Sequence, residues 1–312
     1  MNKYWFFLFR ILTIITLLGT IVMVPSPALA SEADSWRKVR EGVSGYTAVT
    51  GQEAGVLIQG SGQNWRQLRN RLIATYGAWL LAGTTLALGL FYLWRGQVKL
   101  TQERTGITLP RWTFGERFLH WAMAIIFLML VVTGYSLLYG RTVLIPIIGK
   151  PAFSDYVTIA KQLHNYSGPL FIVGLILMFL KWAKDNLPNS LDIAWFKAFG
   201  GMVGDKHPSA ELMNAGEKAW FWLLIGAGFA VGVTGLILDF TLFGQTRELL
   251  QISHIIHSVS GLLLTVGALG HIYIGTIGTE GALEGMIHGE VDVAWAKQHH
   301  DLWYEKIKDQ DS

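Results

Sequence analysis

The sequence of 312 residues contains no cysteine. This absence excludes disulfides, thiolate-ligated zinc, iron–sulfur clusters held by this chain and covalently attached c-type haem. Any metal or redox centre within the chain must therefore use histidine, carboxylate or methionine as its ligands.

Charged residues are also scarce, since they make up 15% of the chain while hydrophobic residues make up 51%. A soluble globular domain is usually about one quarter charged, so this composition favours a membrane protein. The net charge is only +3, and the basic residues lie near the ends of apolar stretches rather than in a dense stripe. The sequence therefore gives little support to nucleic-acid binding.

Residues 1–30 have the pattern of a secretory signal peptide. A basic start precedes an apolar run, and a small-x-small ending predicts cleavage after Ala30. The alternative is an uncleaved anchor, because the run from Phe6 to Val24 is long for a signal peptide. Both interpretations place the chain that follows outside the cytoplasm.

Five apolar stretches follow, and each is about 20 residues or longer, enough to cross roughly 30 Å of hydrocarbon as a helix. They lie near residues 72–94, 117–139, 162–183, 218–238 and 253–278. We therefore predict an all-α integral membrane protein, in which one additional N-terminal helix precedes a four-helix bundle.

The predicted organisation has six segments. They are a signal peptide (1–30), an extracytoplasmic segment with turns or strands (31–70), the extra transmembrane helix (71–95), a cytoplasmic loop (96–115), the four-helix domain (116–279) and a cytoplasmic tail (280–312).

Basic residues test the direction of the spans. With the mature N-terminus outside, the loops assigned to the cytoplasm carry Arg95, Lys99, Arg104, Arg111, Lys181, Lys184, Lys197 and Lys206. The loops assigned to the outer side carry only Arg141, Lys150, Lys161 and Arg247. Cytoplasmic loops are normally the richer in Lys and Arg, so the bias agrees with this order. We predict a multi-pass protein of the bacterial inner membrane, with a periplasmic N-terminus and a cytoplasmic C-terminus.

Nine histidines are unevenly distributed along the chain. Four fall in loops or in the tail, and we interpret them as solvated: His207, His288, His299 and His300. Five lie in the spans or at their edges: His120, His164, His254, His257 and His271. An ionisable side chain inside a bilayer is energetically unfavourable, and it is a functional candidate for that reason. The alternative for a single histidine is a hydrogen bond between helices.

Helical geometry selects two histidines in the last span. His257 and His271 are 14 residues apart, so they share one helix face and are separated by roughly 21 Å along the axis. His254 is turned by about 100° from His271. We therefore expect His254 to lie beside the outer site, near a haem propionate, and not to be a ligand.

The order of the spans then pairs the ligands. His164 and His257 lie towards the outer side, whereas His120 and His271 lie towards the inner side. Two imidazoles on opposite faces of a porphyrin give six-coordinate iron, which favours electron transfer over oxygen binding. Two pairs about 20 Å apart fit two large cofactors better than one zinc or copper ion. The sequence predicts that the bundle binds two haem b.

Glycines on these helices have two interpretations. They would let a flat macrocycle approach the backbone, or they would permit close helix packing. The glycines concerned are Gly134, Gly168, Gly174, Gly261 and Gly267.

Several motifs carry a family resemblance over roughly residues 110–306. They are Glu116-Arg117-Phe118-Leu119-His120-Trp121, Leu163-His164 with Gly168, Asn214-Ala215-Gly216-Glu217-Lys218, His257 to His271 followed by Ile272-Tyr273, Gly285-Met286-Ile287-His288-Gly289-Glu290, Trp295-Ala296-Lys297 and His299-His300. This set resembles the gamma (cytochrome b) subunit of membrane-bound formate dehydrogenase, in its longer form with a signal peptide and an extra N-terminal helix. The cytochrome b subunits of nickel–iron hydrogenases and thiosulfate reductases share the plan with different motifs, and they remain an alternative.

The resemblance implies a three-subunit enzyme in which this chain does not itself oxidise formate. A molybdenum- or tungsten-pterin (alpha) subunit oxidises formate outside, and an iron–sulfur (beta) subunit passes electrons to the outer haem and so to the inner haem. The resemblance also implies a menaquinone site beside the inner haem, formed by Asn214, Gly216 and His271. From the residues alone, Asn214-Ala215-Gly216 is more typical of a helix N-cap and turn than of a quinone site.

A third hypothesis belongs to a different class of protein. The chain could be a haem-free transporter or structural anchor whose intramembrane histidines relay protons or bond helices together.

Overall fold

The computed structural model describes residues 60–204 and 207–309 of the chain. The predicted signal peptide and residues 31–59 of the predicted extracytoplasmic segment lie outside these residues. Within the described part, five helices are long and apolar enough to cross a membrane: Asn64–Arg95, Phe114–Val143, Ile145–Trp182, Ala215–Asp239 and Arg247–Gly278. The predicted all-α membrane class is confirmed.

The described helices are, in chain order, α1 (Gly60–Gln67), α2 (Ala74–Arg95), α3 (Phe114–Val143), α4 (Ile145–Trp182), α5 (Ser190–Lys197), α6 (Ala215–Asp239), α7 (Arg247–Tyr273), α8 (Glu284–His288), α9 (Val293–His299) and α10 (Asp301–Lys308). Wider π-helical turns occupy Leu68–Ile73 and Ile274–Gly278, and 3-10 turns occupy Phe199–Gly201 and Thr241–Phe243. The two strands are β1 (Thr108–Pro110) and β2 (Glu290–Asp292).

The first span begins earlier than the sequence predicts. Residues 60–70 are helical rather than turns or strands, and the π-helical turn joins α1 to α2 without a break. The polar, glycine-containing sequence of α1 is typical of a loop. Packing overrides that local preference, because the Trp65 ring contacts the His254 ring on α7 with 5.4 Å between centroids.

Helix α4 also begins well before the apolar stretch that predicts it. It starts at Ile145 and contains a break at Gly149, whose φ of +78° is a conformation open mainly to glycine. Pro151, just after the break, has the fixed φ that suits the start of the continuing helix. His164 therefore lies in the interior of α4 and not at its start.

The transmembrane core is a bundle of α3, α4, α6 and α7. Helix α3 packs along α4, α4 packs against α6, and α6 packs along α7. Helix α2 packs against α7 from outside this bundle. Leu175 of α4 and Leu264 of α7 are among the most buried side chains, with 0% and 1% of their surface exposed. Gly228 of α6 lies so close to Leu175 that an added Cβ would be 2.9 Å from its Cδ2 atom.

The segments predicted as a cytoplasmic loop and a cytoplasmic tail form one structure. Strands β1 and β2 pair antiparallel, with Thr108 opposite Asp292 and Pro110 opposite Glu290. The Asp292 carboxylate accepts hydrogen bonds from the backbone N–H of Gly106 at 2.9 Å and of Ala294 at 2.7 Å, which ties the loop to the start of α9. We call this end of the bundle, formed by residues 96–113, 186–204, 207–214 and 279–309, the loop-rich end.

Close packing between α3 and α4 at Gly174 gives a test of the fold. A Cβ added at Gly174 would overlap the sulfur of buried Met123. Gly174→Ala should therefore destabilise the protein by about 1–3 kcal/mol, the usual effect of overpacking a core. The thermal unfolding midpoint in detergent measures this loss.

Gly226→Ala is the matched control, because nothing lies within 4 Å of an added Cβ there. Alanine is the better helix former, so this variant should be as stable as the wild type or slightly more so. Equal unfolding midpoints for the two variants would contradict the packing of α3 on α4.

Candidate functional site

Four intramembrane histidines meet as two pairs. The rings of His164 on α4 and His257 on α7 have centroids 5.9 Å apart and planes inclined at 68°. The rings of His120 on α3 and His271 on α7 have centroids 6.1 Å apart and planes inclined at 60°. The structure thus brings together the same partners that helical phase and span order predict from the sequence.

The spacing within each pair fits one metal ion between two imidazoles. A metal–nitrogen bond of about 2.0–2.1 Å on each side, with about 1.2 Å from each nitrogen to its ring centre, separates two centroids by about 6.4–6.6 Å. The observed 5.9 and 6.1 Å are shorter than this by about 0.3–0.7 Å. Within the described residues no group of three or more metal-binding side chains exists, so each pair suits a cofactor that supplies the other iron ligands itself.

Hydrogen bonds fix the tautomer of both outer histidines. His257 Nδ1 lies 2.9 Å from the carbonyl oxygen of Val231, which can only accept, so Nδ1 carries the proton. Thr133 Oγ1 donates its single proton to the Met129 carbonyl at 2.7 Å, so it accepts from His164 Nδ1 at 2.9 Å. In both rings the unprotonated Nε2 is left free to bind iron, as second-shell bonds commonly arrange for metal-binding histidines.

Two Thr-Gly pairs support the outer imidazoles in the same way. Gly134, next to Thr133, leaves room for the His164 ring, because an added Cβ would be 3.1 Å from its Cε1 atom. Gly235, next to Thr234, does the same for the His257 ring, also at 3.1 Å. The Val-Thr-Gly repeat that places these glycines was visible in the sequence and was not among the predicted features.

The five glycines predicted to make room for a macrocycle divide into three kinds. Gly168 and Gly261 face open space, with nothing within 4 Å of an added Cβ. Gly174 and Gly267 are occupied by helix packing, the second against Trp220 and Leu223. Only the first two, with Gly134 beneath an imidazole, contribute to the space around the histidines.

Aromatic rings surround the inner pair. The Trp220 indole of α6 stacks on the His271 ring, with centroids 5.2 Å apart and planes inclined at 14°. His120 packs edge-on against Trp121 at 5.1 Å, and Trp121 Nε1 donates to the Met286 carbonyl at 2.9 Å. His120 Nδ1 is buried and has no hydrogen-bond partner among the described residues. The His120 ring is therefore not oriented by a hydrogen bond as the outer rings are.

Asn214 and Gly216, predicted to bind quinone, form the start of α6. Asn214 Oδ1 accepts from the Glu217 N–H at 3.0 Å, and the Glu217 carboxylate accepts from the Asn214 N–H at 2.8 Å, which is a capping box. Gly216 lies against Trp195, whose ring would be 2.7 Å from an added Cβ. The N-cap alternative is confirmed. Trp220, about 9 Å further along the helix axis, connects this turn to His271.

A shallow cleft lies beside this cap, between α5 and the start of α6. Its empty volume is about 160 Å³, and Asn214, Trp195, Asp192 and Lys218 are among the residues that line it. Lys218 and Asp192 form an ion pair of 2.8 Å with 6% and 15% of their side-chain surfaces exposed. The cleft is smaller than the roughly 300–1,000 Å³ of most ligand pockets, so it does not by itself form a quinone pocket.

His300 was predicted to be solvated, and this prediction is wrong. Its side chain is 1% exposed, because α9 and α10 pack against the other segments of the loop-rich end. Its Nδ1 donates to the Glu211 carbonyl at 2.7 Å, and its Nε2 accepts from Arg111 Nη2 at 3.1 Å. Burial first and the Arg111 charge second lower the pKa of His300 to about 4, so the ring is neutral near pH 7.

Arg111 joins this histidine to the cap of α6. Its Nη2 donates to Glu217 Oε1 at 2.9 Å, and its guanidinium lies over Trp112 and Trp295 at 5.1 and 4.9 Å from their ring centroids. Glu217 therefore has two functions, since it completes the capping box and pairs with a buried cation. Sequence reasoning assigned Arg111 only to the positive loop charge.

Comparison with known proteins agrees with this geometry. A family model for prokaryotic cytochrome b561 matches residues 111–289, more than half of the chain. The chain belongs to the prokaryotic cytochrome b561 family. The matched region contains both histidine pairs, and membership implies haem b in a multi-pass membrane cytochrome.

Individual relatives of this cytochrome b561 chain carry a more specific name. The nitrate-inducible formate dehydrogenase cytochrome b556(Fdn) subunit of Escherichia coli is 30% identical over 206 residues, which are 64% of this chain and 92% of that protein. The formate dehydrogenase cytochrome b556 subunit of Haemophilus influenzae is 32% identical over 194 residues, 60% of this chain and 79% of the relative. The cytochrome b556(fdo) subunit of Escherichia coli is 29% identical, and 94% of it is covered.

The buried His300 makes a prediction about pH. The pKa of the folded state is about 4, whereas an unfolded histidine has a pKa of about 6.5. Between these values the unfolded state binds the extra proton, so stability falls as the pH is lowered. This histidine should account for a loss of about 2 kcal/mol between pH 7.5 and pH 5.

Thermal unfolding of His300→Gln at the two pH values measures this contribution. The variant should lose less stability on acidification than the wild type does. The exposed His288 is the control position, since His288→Gln should keep the full pH dependence. A His300→Gln variant with unchanged pH dependence would contradict the assigned neutral, buried state.

Proposed function

We propose that this chain is the di-haem b electron-transfer subunit of a formate dehydrogenase. It accepts electrons from an extracytoplasmic iron–sulfur subunit, passes them across the membrane and delivers them to menaquinone near the cytoplasmic side. The chain does not itself oxidise formate. The observation that carries the proposal is the pair of imidazole pairs, each with a spacing that fits one iron.

His164 and His257 hold one haem, and His120 and His271 hold the other. Bound haem supplies one-electron oxidation and reduction at iron. With two imidazoles as protein ligands, each haem would have no coordination position left for oxygen. Thr133 and the Val231 carbonyl keep the outer rings in the tautomer whose unprotonated Nε2 would bind iron. A fixed ring orientation reduces the rearrangement that accompanies electron transfer.

Helix α7 sets the spacing of the two haems by carrying one ligand of each. His257 and His271 are 14 residues apart, which corresponds to roughly 21 Å along a helix axis. The two cofactors would thus follow one another through the bundle, and the family resemblance implies that the outer haem receives electrons first.

The charge distribution supports a cytoplasmic loop-rich end. Arg95 donates to the Met202 carbonyl at 3.1 Å, Arg104 pairs with Glu284 at 2.7 Å and Arg111 pairs with Glu217 at 2.9 Å. The positive-inside rule counts Lys and Arg whether or not they are paired. This charge distribution supports an inner pair near the cytoplasm of a bacterial inner membrane, with the mature N-terminus in the periplasm.

The quinone site in this proposal comprises Asn214, Gly216 and His271. The first two turns of α6 support it, because they lead from the Asn214 cap to Trp220, which stacks on His271. These residues would hold a quinone headgroup, which would supply a two-electron, two-proton acceptor next to the inner pair. Arg111 and Glu217 hold the start of α6 in place for this step.

The partners of the complex follow from the relatives, which are named as formate dehydrogenase cytochrome subunits. They are an iron–sulfur (beta) subunit and a molybdenum- or tungsten-pterin (alpha) subunit on the periplasmic side. Electrons then enter from outside while quinone protons enter from inside. One charge moved against 100 mV stores roughly 2.3 kcal/mol, so the chain forms half of a redox loop without moving itself.

Loss of single ligands tests the haem assignment. His120→Ala or His271→Ala should remove the inner haem and quinol formation, while formate oxidation with artificial dyes continues. His164→Ala or His257→Ala should remove the outer haem. The measurements are the haem content per chain and the reduced-minus-oxidised spectrum of the purified complex. His288→Gln, exposed at the loop-rich end, should retain both haems.

Three results would contradict parts of this proposal. Retention of both haems in any of the four alanine variants would remove that histidine from the ligand set. No haem b absorption in the wild type would leave the electron-carrier function without support. Co-purification with a nickel hydrogenase subunit instead of a pterin subunit would reject formate as the donor.

The two roles of Asn214 can be separated by substitution. Serine caps a helix about as well as asparagine but has no amide group. Alanine neither caps the helix nor provides an amide group. Asn214→Ser should keep the unfolding midpoint and lose quinol formation by tenfold or more, about the effect of one lost hydrogen bond of 1.4 kcal/mol. Asn214→Ala should lose both. Full quinol formation by Asn214→Ser would leave this residue only its cap.

A further inference from the structure

Three buried polar atoms near the outer histidines have no hydrogen-bond partner within the part of the chain that is described. They are Trp65 Nε1 of α1, Arg69 Nε of the π-helical turn and His254 Nδ1 of α7. An unsatisfied buried polar atom typically destabilises a protein by about 1–3 kcal/mol, and native structures contain few of them. Three together indicate that a ligand accepts their hydrogen bonds.

The three side chains face one another across two helices. Trp65 and Arg69 are four residues apart, so they lie on the same side of the helical segment. The Trp65 ring contacts the His254 ring edge-on, with centroids 5.4 Å apart. Arg69 is close enough to His254 for an electrostatic interaction. The cluster therefore joins the segment before the first span to α7.

The chemistry of the cluster selects an anionic oxygen ligand. Indole and guanidinium nitrogens only donate hydrogen bonds. Arg69 donates to the side-chain oxygen of Asn70 at 2.8 Å, and it has no carboxylate partner among the described residues. A half-buried guanidinium is unfavourable without an opposite charge. Its neighbours Arg66 and Arg71 are exposed, so only Arg69 turns towards α7.

The position of the cluster identifies the source of that anion. His254 lies three residues before His257, about 4.5 Å along the helix axis, towards the end of α7 at which the outer pair lies. A haem held by His164 and His257 would carry two propionate carboxylates. The donor cluster, through His254, lies less than one helical turn from the ligand His257.

We propose that Trp65, Arg69 and His254 bind a propionate carboxylate of the outer haem. The helical segment that precedes the four-helix bundle is then part of the haem site and not merely a membrane anchor. This inference rests on the proposed function, because it requires a haem between His164 and His257. A lipid phosphate offers the same anionic oxygens, so the experiment below distinguishes the two sources.

Arg69→Gln and His254→Gln, made in the complete purified complex, test the proposal. Two properties are measured: the rate at which haem transfers to an added haem-free acceptor protein, and the reduction potential of each haem. Loss of one charge-assisted hydrogen bond of about 1.4 kcal/mol or more should speed the loss of one haem by about tenfold or more.

The reduction potential gives a readout that a purely structural role would not change. Ferric haem carries one more positive charge than ferrous haem, so removing the Arg69 cation stabilises the ferric state. The potential of the outer haem should fall in Arg69→Gln and recover in part in Arg69→Lys. The inner haem should keep its potential. Trp65→Phe keeps an aromatic ring at this position but removes the indole N–H, so it should speed the loss of the same haem.

Arg66→Gln and Arg71→Gln are matched controls, since each removes the same charge from the same segment at an exposed position. Both should leave haem loss and both potentials unchanged. If Arg69→Gln and His254→Gln leave a two-haem wild type unchanged, the inference fails while the proposed function stands. If the wild type contains no haem, the proposed function itself fails. If the variants lose bound phospholipid phosphorus but not haem, the anion is a lipid phosphate and the propionate assignment is overturned.

Discussion

The constraint on which this structure depends is the presence of four imidazoles inside a bilayer, where each must find a partner. Helix α7 meets it by presenting His257 and His271 from one face, 14 residues apart. Each ring faces a histidine of another helix at a centroid distance near 6 Å. The direction of α3 and α4, and the level at which each crosses α7, follow from these two contacts. The remaining packing fills the space between them.

The same three-residue motif lies beside each of the two outer histidines. Val132-Thr133-Gly134 on α3 and Val233-Thr234-Gly235 on α6 each place a hydroxyl near Nδ1 and a glycine beside the ring of a histidine. The inner site lacks this symmetry. There Trp220 stacks on His271, and His120 Nδ1 has no partner among the described residues. His120, which is held by fewer hydrogen bonds than the outer imidazoles, is therefore the more easily reoriented.

The loop-rich end connects the bundle to the rest of the chain through charge. Glu217 closes the capping box of α6 and also pairs with Arg111, which in turn donates to His300 of the tail. The tail therefore stabilises the helix that carries Trp220. At the opposite end, the segment that contains Trp65 and Arg69 packs on α7 near the outer pair. Segments outside the four-helix bundle thus pack against helices that carry or contact the two histidine pairs, one segment at each end.

The sequence by itself determined the class of fold, the five spans and the histidines that meet, because apolar length and the 3.6-residue period are local properties. Tertiary structure alone decided which nitrogen of His164 and His257 is free, since the deciding acceptors lie on α3 and α6. It also decided that α1 is helical and that His300 is buried. The structure of these short polar segments depends on residues more than 80 positions away, as the hydrogen bond from His300 to the Glu211 carbonyl shows. Such distant contacts leave no periodicity in the sequence that would reveal them.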